Sequence, residues 1–188
     1  MPKIPDNIIT EISPRKFEIL VKAFISELGH NLKKFQAYHD VKVKAHDGTY
    51  QIDVKATFEA LGSDFIVLIE CKHHKSSVKR EVVEILYNRL QSSGSQKGMI
   101  FSTSKFQSGA LKFAEAHGIA LVRLIEGKFT YSTKSVDGPK HEPPPWANIP
   151  EYVGEFNYIE NGRRTTSYLQ KGYMEPLQLF IFGILKWP

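Results

Sequence analysis

Two acidic side chains and a lysine on neighbouring predicted strands are the residues of this sequence best suited to chemistry. Glu70 and Lys72 end the most hydrophobic predicted strand, and the alternation of side chains along a strand places both on one face. Asp53 lies on the preceding predicted strand, and a hairpin closed around residue 61 brings it opposite Glu70. Charged groups that end a buried strand are costly unless they are paired or used. We therefore expect these three side chains to converge at one edge of a sheet.

Two carboxylates with open coordination positions suit Mg²⁺, which takes oxygen ligands and keeps several waters. A bound divalent ion can stabilise charge on a phosphodiester and lower the pKa of a bound water. Lys72 would orient that water or neutralise charge developing on the phosphoryl group. The structural alternative is a salt-bridged hairpin in which Lys72 only pairs with Glu70 or Asp53. The five-residue apolar run before Glu70 and the aspartate on the partner strand favour chemistry.

Hydrophobic periodicity predicts the elements that position these residues. Two strands joined by a short turn should be antiparallel, whereas the later strands connect through helices, so a mixed sheet flanked by helices is expected. A further strand near Val41 is compatible with the pattern. The predicted helices are 13–29, 78–90 and 106–117, and the predicted strands are 50–58, 64–72, 98–102 and 119–124.

Side-chain orientation follows from the same periodicities. In strand 50–58, Asp53 is expected to share a face with Gln51, while Ile52 and Val54 take the opposite face. Cys71 should point away from Glu70 and be a buried thiol. In the second helix, the residues expected to face inward are Val82, Ile85 and Leu86.

The composition of the chain changes after residue 137. Residues 137–146 are rich in proline and predict a stiff linker, and the residues that follow are rich in Tyr and Phe. The apolar run 177–187 predicts a buried strand or an oligomer contact. We therefore predict one domain at 1–137 and, at 138–188, a linker with a short appendage of strands or an extended arm.

Charge and cysteine usage indicate the setting. The net charge is +5, and all of the excess lies in residues 1–137, because residues 138–188 hold five basic and five acidic side chains. Such a balance is compatible with a nucleic-acid partner. One cysteine allows no internal disulfide, and no apolar run approaches the roughly 20 residues of a membrane helix. We expect a cytoplasmic, DNA-associated protein with no membrane span.

An ordered set of motifs runs from Ser13 to Leu124, and together they resemble the Mrr-type restriction endonuclease domain of the PD-(D/E)xK nuclease superfamily. The short catalytic motif alone is only moderately specific for this superfamily, whereas the ordered set of motifs is much more specific. Ile52 stands where the superfamily name has proline. The segments that carry the resemblance are Ser13–Glu18, Asp47–Gly48, Gln51–Asp53, Glu70–Lys72, Lys97–Thr103, Phe106–Ala110 and Ala116–Ile119.

The resemblance implies an α/β fold with a restriction-endonuclease-like mixed central sheet flanked by helices. It implies a metal-dependent DNA endonuclease that hydrolyses phosphodiester bonds in DNA restriction, with Mg²⁺ as cofactor and Mn²⁺ as a substitute. Asp53 and Glu70 would then be metal ligands, Lys72 the catalytic lysine, and Glu18 a further carboxylate of the acidic cluster.

Double-stranded DNA is the expected partner, and cutting two strands with one site per chain suggests a homodimer or a higher oligomer. Lys75, Lys79 and Arg80 precede and begin the second helix, where they could hold phosphate, although a solvated basic turn fits equally well. Gln51 could contact a phosphate or a metal-bound water. The alternatives are a Holliday-junction-resolvase-like or transposon-end nuclease of the same fold, or a non-catalytic DNA-binding module.

Overall fold

The computed structural model describes residues 8–60, 62–127, 148–160, 163–170 and 172–181. These ranges contain a 3-10 turn at Ile8–Thr10, four α-helices and seven β-strands. The helices are α1 (Pro14–Gly29), α2 (Arg80–Ser93), α3 (Ser108–His117) and α4 (Glu175–Ile181). The strands are β1 (Gln36–Ala45), β2 (Gly48–Ala60), β3 (Ser63–Lys72), β4 (Lys97–Ser102), β5 (Ile119–Glu126), β6 (Tyr152–Glu160) and β7 (Arg163–Leu169).

All seven strands form one mixed sheet in sequence order. Strands β1, β2 and β3 are antiparallel neighbours, β3, β4 and β5 are parallel, and β6 and β7 return to antiparallel pairing. Helices α1 and α4 pack on one face, and α2 and α3 pack on the other. The α/β fold predicted from the sequence, including a strand near Val41, is confirmed. No described helix has the length and apolarity needed to cross a membrane.

Helix α1 begins where the sequence predicts. The Ser13 hydroxyl accepts a hydrogen bond from the Lys16 amide at 3.3 Å, and Pro14 occupies the first helical position. The buried stripe of the helix packs on the sheet through Phe17, Val21 and other apolar residues. This stripe fixes the rotation of α1 and places Glu18 at its edge, toward the middle of β1.

The two residues that flank Asp53 in β2 are buried on opposite faces of the sheet. Val54 is buried on the α1 face of the sheet, but Ile52 is buried on the α2 face. The pairing with β1 passes from His39–Val54 to Val41–Ile52, and Asp40 between them has a left-handed backbone with φ of 54°. The prediction that Ile52 and Val54 share a face is therefore wrong, because the regular alternation is interrupted at this point.

Helix α2 is rotated from its predicted orientation. Val83, Leu86 and Leu90 are its buried residues, whereas Ile85 is 52% exposed. The helix begins at Arg80 rather than near Val78, because Val78 forms a parallel bridge with Phe106 instead. The inward orientation predicted for Ile85 is wrong, and Leu86 is oriented as predicted.

The C-terminal strands extend the central sheet. Phe156 of β6 is fully buried in the core under α1 and packs edge-to-face on Phe180 of α4, with 5.7 Å between ring centroids. Residues 175–181 form a helix, so the buried strand predicted for 177–187 is wrong over its described part, while the alternative of an oligomer contact stays a prediction. The proline-rich linker and the rest of the apolar run, 182–187, lie outside the described residues. The division at 137/138 stays a prediction.

Replacing Phe156 with alanine should destabilise the whole fold if β6 shares its core. Loss of a buried phenylalanine costs about 3–5 kcal/mol. We expect one cooperative urea transition, followed by far-UV circular dichroism, with a lower midpoint. Ile85→Ala is the control and should change the free energy of unfolding by less than about 0.5 kcal/mol. A biphasic transition with only one phase shifted would show instead that β6 and β7 unfold independently.

Candidate active site

Asp53, Glu70 and Lys72 meet where β2 and β3 separate. The β2–β3 ladder ends at the Val54–Ile69 pair, so Asp53 and Glu70 lie one residue beyond it. From there β2 continues beside β1 alone, and Glu70 and Lys72 pair only with β4. The Cys71 amide therefore has no backbone partner on β2, and it donates a hydrogen bond of 2.7 Å to the side-chain Oδ2 of Asp53. The predicted convergence of the three side chains is what the structure shows.

Glu70 is 8% exposed, and two cations hold its carboxylate. Lys72 Nζ lies 2.6 Å from Oε1, and Nη1 of Arg89 on α2 lies 2.7 Å from Oε2. Arg89 also lies over the Tyr50 ring, 5.8 Å from its centroid. Because an unpaired buried carboxylate is strongly unfavourable, these contacts balance the charge of Glu70.

Glu18 approaches the same region from α1. Its Oε2 lies 2.7 Å from Nε2 of His39 on β1, and both side chains are mostly buried. Glu18 thus lies at the edge of the buried stripe of α1, where its contact with His39 fixes the carboxylate. Whether Glu18 binds metal stays a prediction.

The electrostatic environment raises the pKa of Asp53 to about 6. Burial is the main cause, and the nearby carboxylate of Glu70 adds to it, followed by that of Glu18. The Cys71 amide and Lys72 act in the opposite direction but do not cancel the effect. Burial likewise raises the pKa of the Cys71 thiol well above its usual value, as expected of a thiol packed against the core.

These donors fit a hard divalent cation. Asp53 and Glu70 offer carboxylate oxygens, the ligands that Mg²⁺ prefers, in a place where their negative charges repel. Oδ1 of Asp53 has no hydrogen-bond partner among the described residues. Within those ranges, however, no three His, Cys, Asp or Glu side chains are grouped closely enough to bind one ion. The predicted set of three carboxylate ligands is not assembled in this conformation.

The predicted DNA-contacting residues occupy different surroundings. Gln51 is exposed on β2 and donates a hydrogen bond to Asp40. Lys75 and Lys79 are exposed, and Lys79 is the N-cap residue of α2. Arg80 pairs with Glu84 one turn along the helix and lies 5.0 Å from the Phe113 ring centroid. Their role toward DNA stays a prediction.

Sequence reasoning missed Arg89 and His39. Arg89 lies beside the buried Leu86 and Leu90 on α2, and a cation at the edge of an apolar stripe is a signal for a buried anion nearby. His39 carries no comparable signal, because its position opposite Glu18 depends on how α1 crosses β1.

The model of the restriction endonuclease family Mrr_cat matches residues 9–128 of the chain. This range covers Glu18, Asp53, Glu70, Lys72 and Arg89. No curated protein matches the sequence at a significant level.

Several solved structures are similar to parts of the chain. A protein of unknown function, AF1548, is 26% identical with a TM-score of 0.47, over 61% of this chain and 57% of that one. The MspJI restriction endonuclease, in complex with a 27-mer oligonucleotide, is 18% identical with a TM-score of 0.39, over 58% and 25% of the two chains. The DNA modification-dependent restriction endonuclease AspBHI is 16% identical with a TM-score of 0.40, over 61% and 30%. The chain spans less than two thirds of each of these proteins.

Asp53→Asn should stabilise the metal-free protein at neutral pH. A carboxyl group whose pKa is raised on folding binds more protons in the folded state, so its ionisation opposes folding above pH 6. After allowance for screening by solvent, we expect a gain of about 1–2 kcal/mol in EDTA at pH 8 that shrinks as the pH falls toward 4. Urea denaturation across this pH range measures it. Equal stability of both proteins at pH 8 would contradict the raised pKa.

Arg89→Met should destabilise the metal-free protein because Glu70 loses one of its two cations. We expect a loss of about 1–3 kcal/mol in EDTA. Added Mg²⁺ should recover part of the loss if Glu70 binds the ion, since a divalent cation can replace the missing charge. Thermal unfolding with and without Mg²⁺ measures both effects. Arg80→Met removes an exposed arginine of the same helix and should change little in either condition.

Proposed function

Because the chain belongs to the Mrr_cat restriction endonuclease family, we propose that it is a metal-dependent endonuclease that hydrolyses phosphodiester bonds of DNA. The observation that carries the proposal is the convergence of Asp53, Glu70 and Lys72 where β2 leaves β3. A carboxylate whose pKa is perturbed by burial and by a charged neighbour, as that of Asp53 is, marks a candidate functional site.

Asp53 and Glu70 would hold Mg²⁺, or Mn²⁺ in its place, with Glu18 as a further carboxylate. The ion would supply charge stabilisation at the phosphodiester and a water of lowered pKa. Asp53 is oriented by the Cys71 amide, so its carboxylate needs no rearrangement to present a free oxygen. Lys72 is held by Glu70 at 2.6 Å, and its ammonium group would orient the attacking water or neutralise charge on the phosphoryl group.

Arg89 is the second cation, beside Lys72, that balances the charge of Glu70. It neutralises Glu70 in the metal-free state, and an ion bound to Glu70 would release the guanidinium group. A guanidinium group is well suited to phosphate, because its fork of N–H donors matches two phosphate oxygens. We assign Arg89 to positioning Glu70 before the ion binds.

Double-stranded DNA is the proposed substrate, and cleavage of both strands would require two chains. The excess positive charge of residues 1–137 favours a polyanion. Residues 138–188 would then contribute to an interface between chains or to recognition of the DNA.

A non-catalytic DNA-binding module is the second candidate. It is favoured by the double pairing of Glu70 with Lys72 and Arg89, which satisfies the carboxylate without any ion. DNA binding without scission in Mg²⁺ or Mn²⁺ would favour this module over the nuclease.

Asp53→Asn, Glu70→Gln and Lys72→Met should each reduce cleavage by at least about 100-fold, because each removes charge that acts on the reacting phosphate. The measurement is conversion of supercoiled plasmid, modified and unmodified, in Mg²⁺ and in EDTA. Glu84→Gln is the control, since it removes an exposed carboxylate of α2, and its cleavage should equal that of the unaltered protein. Undiminished cleavage by the triple variant would refute the assignment.

A further inference from the structure

A polar cavity of about 640 Å³ lies beside the candidate active site and is not part of it. Its walls come from the residues that follow β3 and β4, from the turn before α1 and from Arg123 of β5. The carboxyl ends of parallel strands are the common location of ligand sites in α/β sheets. The cavity therefore occupies a favourable position for binding.

The cavity is rich in positive charge. Lys75 and Lys105 line it, are exposed, and form no ion pair with the described residues. Arg123 adds a third cation, and Glu11 is the one carboxylate that lines the cavity among the described residues. The excess of positive charge favours an anionic ligand.

Arg123 contains a donor without a partner. Its side chain is 16% exposed, and Nη1 lies 3.3 Å from Oε2 of Glu155. Its Nε is buried and has no hydrogen-bond partner within the described ranges. Native proteins pair nearly all such groups, so this N–H group is suited to an acceptor on a bound ligand.

Hydrogen bonds hold the two loops that form the rim. Thr103 donates its amide to the Lys72 carbonyl at 3.1 Å and its hydroxyl to the His74 carbonyl at 3.0 Å. The Ser104 hydroxyl donates to the Ser76 carbonyl at 2.7 Å. Loops fixed in this way lose little conformational entropy when a ligand binds.

The cavity is close to the candidate catalytic lysine. His74 follows Lys72 by two residues, which span about 7 Å at most. That length is of the order of the distance between successive phosphates of one DNA strand, which exceeds the roughly 3.4 Å axial rise per nucleotide because the backbone winds around the helix axis. A strand whose scissile phosphate lies at Lys72 would bring a neighbouring phosphate to this cavity.

We propose that the cavity binds a backbone phosphate of the DNA strand next to the phosphate that is cleaved. The inference rests on the proposed function, because it takes DNA as the ligand. Lys75 and Lys105 contact the phosphate, and Arg123 supplies the buried donor. The site is independent of base identity and fixes the position of the strand.

The test compares two double variants by fluorescence anisotropy of a labelled DNA duplex in EDTA, over about 50–200 mM salt. Lys75→Gln/Lys105→Gln removes the exposed charges of the cavity. Lys33→Gln/Lys112→Gln removes the same charge from two exposed lysines that do not line it. We expect the cavity variant to bind about tenfold more weakly, with a slope of log affinity against log salt that is about 0.9 shallower, the value for one lost phosphate contact. The control variant should keep the slope of the unaltered protein.

Equal slopes for both variants, or no DNA binding by the unaltered protein, would overturn the inference. If inorganic phosphate raises the Tm of the unaltered protein but not of the cavity variant while the slopes stay equal, the cavity binds a free anion, which also overturns it. Plasmid cleavage separates this outcome from the proposed function. A protein that cuts DNA with unchanged slopes lacks only the phosphate site, and one that shows the expected slope but never cuts lacks only the nuclease activity.

Discussion

The separation of β2 from β3 beyond the Val54–Ile69 pair is the constraint on which the candidate site depends. A continuous ladder would pair the Cys71 amide with a β2 carbonyl and leave Asp53 without that donor. Because the strands part, the Cys71 amide is free to donate to Asp53 instead. The Asp53 side chain enters the space between the two strands. The left-handed residue Asp40 on β1 lies beside the same point, where the sheet changes which face of β2 is buried. Unusual backbone geometry of this kind concentrates at functional sites.

The electrostatic interactions where β2 and β3 separate oppose folding and favour the binding of a cation. Burial disfavours the ionisation of Asp53, and the nearby carboxylate of Glu70 adds to the effect. Lys72 and Arg89 compensate Glu70 directly, whereas among the described residues Asp53 receives only an amide and a more distant ammonium group. The unequal compensation leaves Asp53 as the residue with most to gain from a divalent ion. Such a site reduces the stability of the folded protein and in return favours the binding of an ion.

The parallel part of the sheet gives the site its surroundings. Strands β3 and β4 end at the same edge of the sheet, so the residues that follow them form a common rim around the basic cavity, together with Arg123 of the adjacent β5. Strands β6 and β7 extend the sheet beyond β5, and through Phe156 they share the core that supports α1 and therefore Glu18. The C-terminal residues thus bear on the site without contributing a side chain to the candidate metal ligands.

The sequence by itself determined the class of fold, the order of the elements from α1 to β5 and the convergence of Asp53, Glu70 and Lys72, because these follow from local periodicity and from a hairpin that sets Asp53 against Glu70. It also located the start of α1, where Ser13 and Pro14 act within one turn. The tertiary structure alone decided the face of Ile52, the orientation of Ile85 and the partners of Glu70 and Glu18. Each of these depends on how separate elements cross: Arg89 reaches Glu70 from α2, and His39 reaches Glu18 from β1, over contacts that no local pattern encodes.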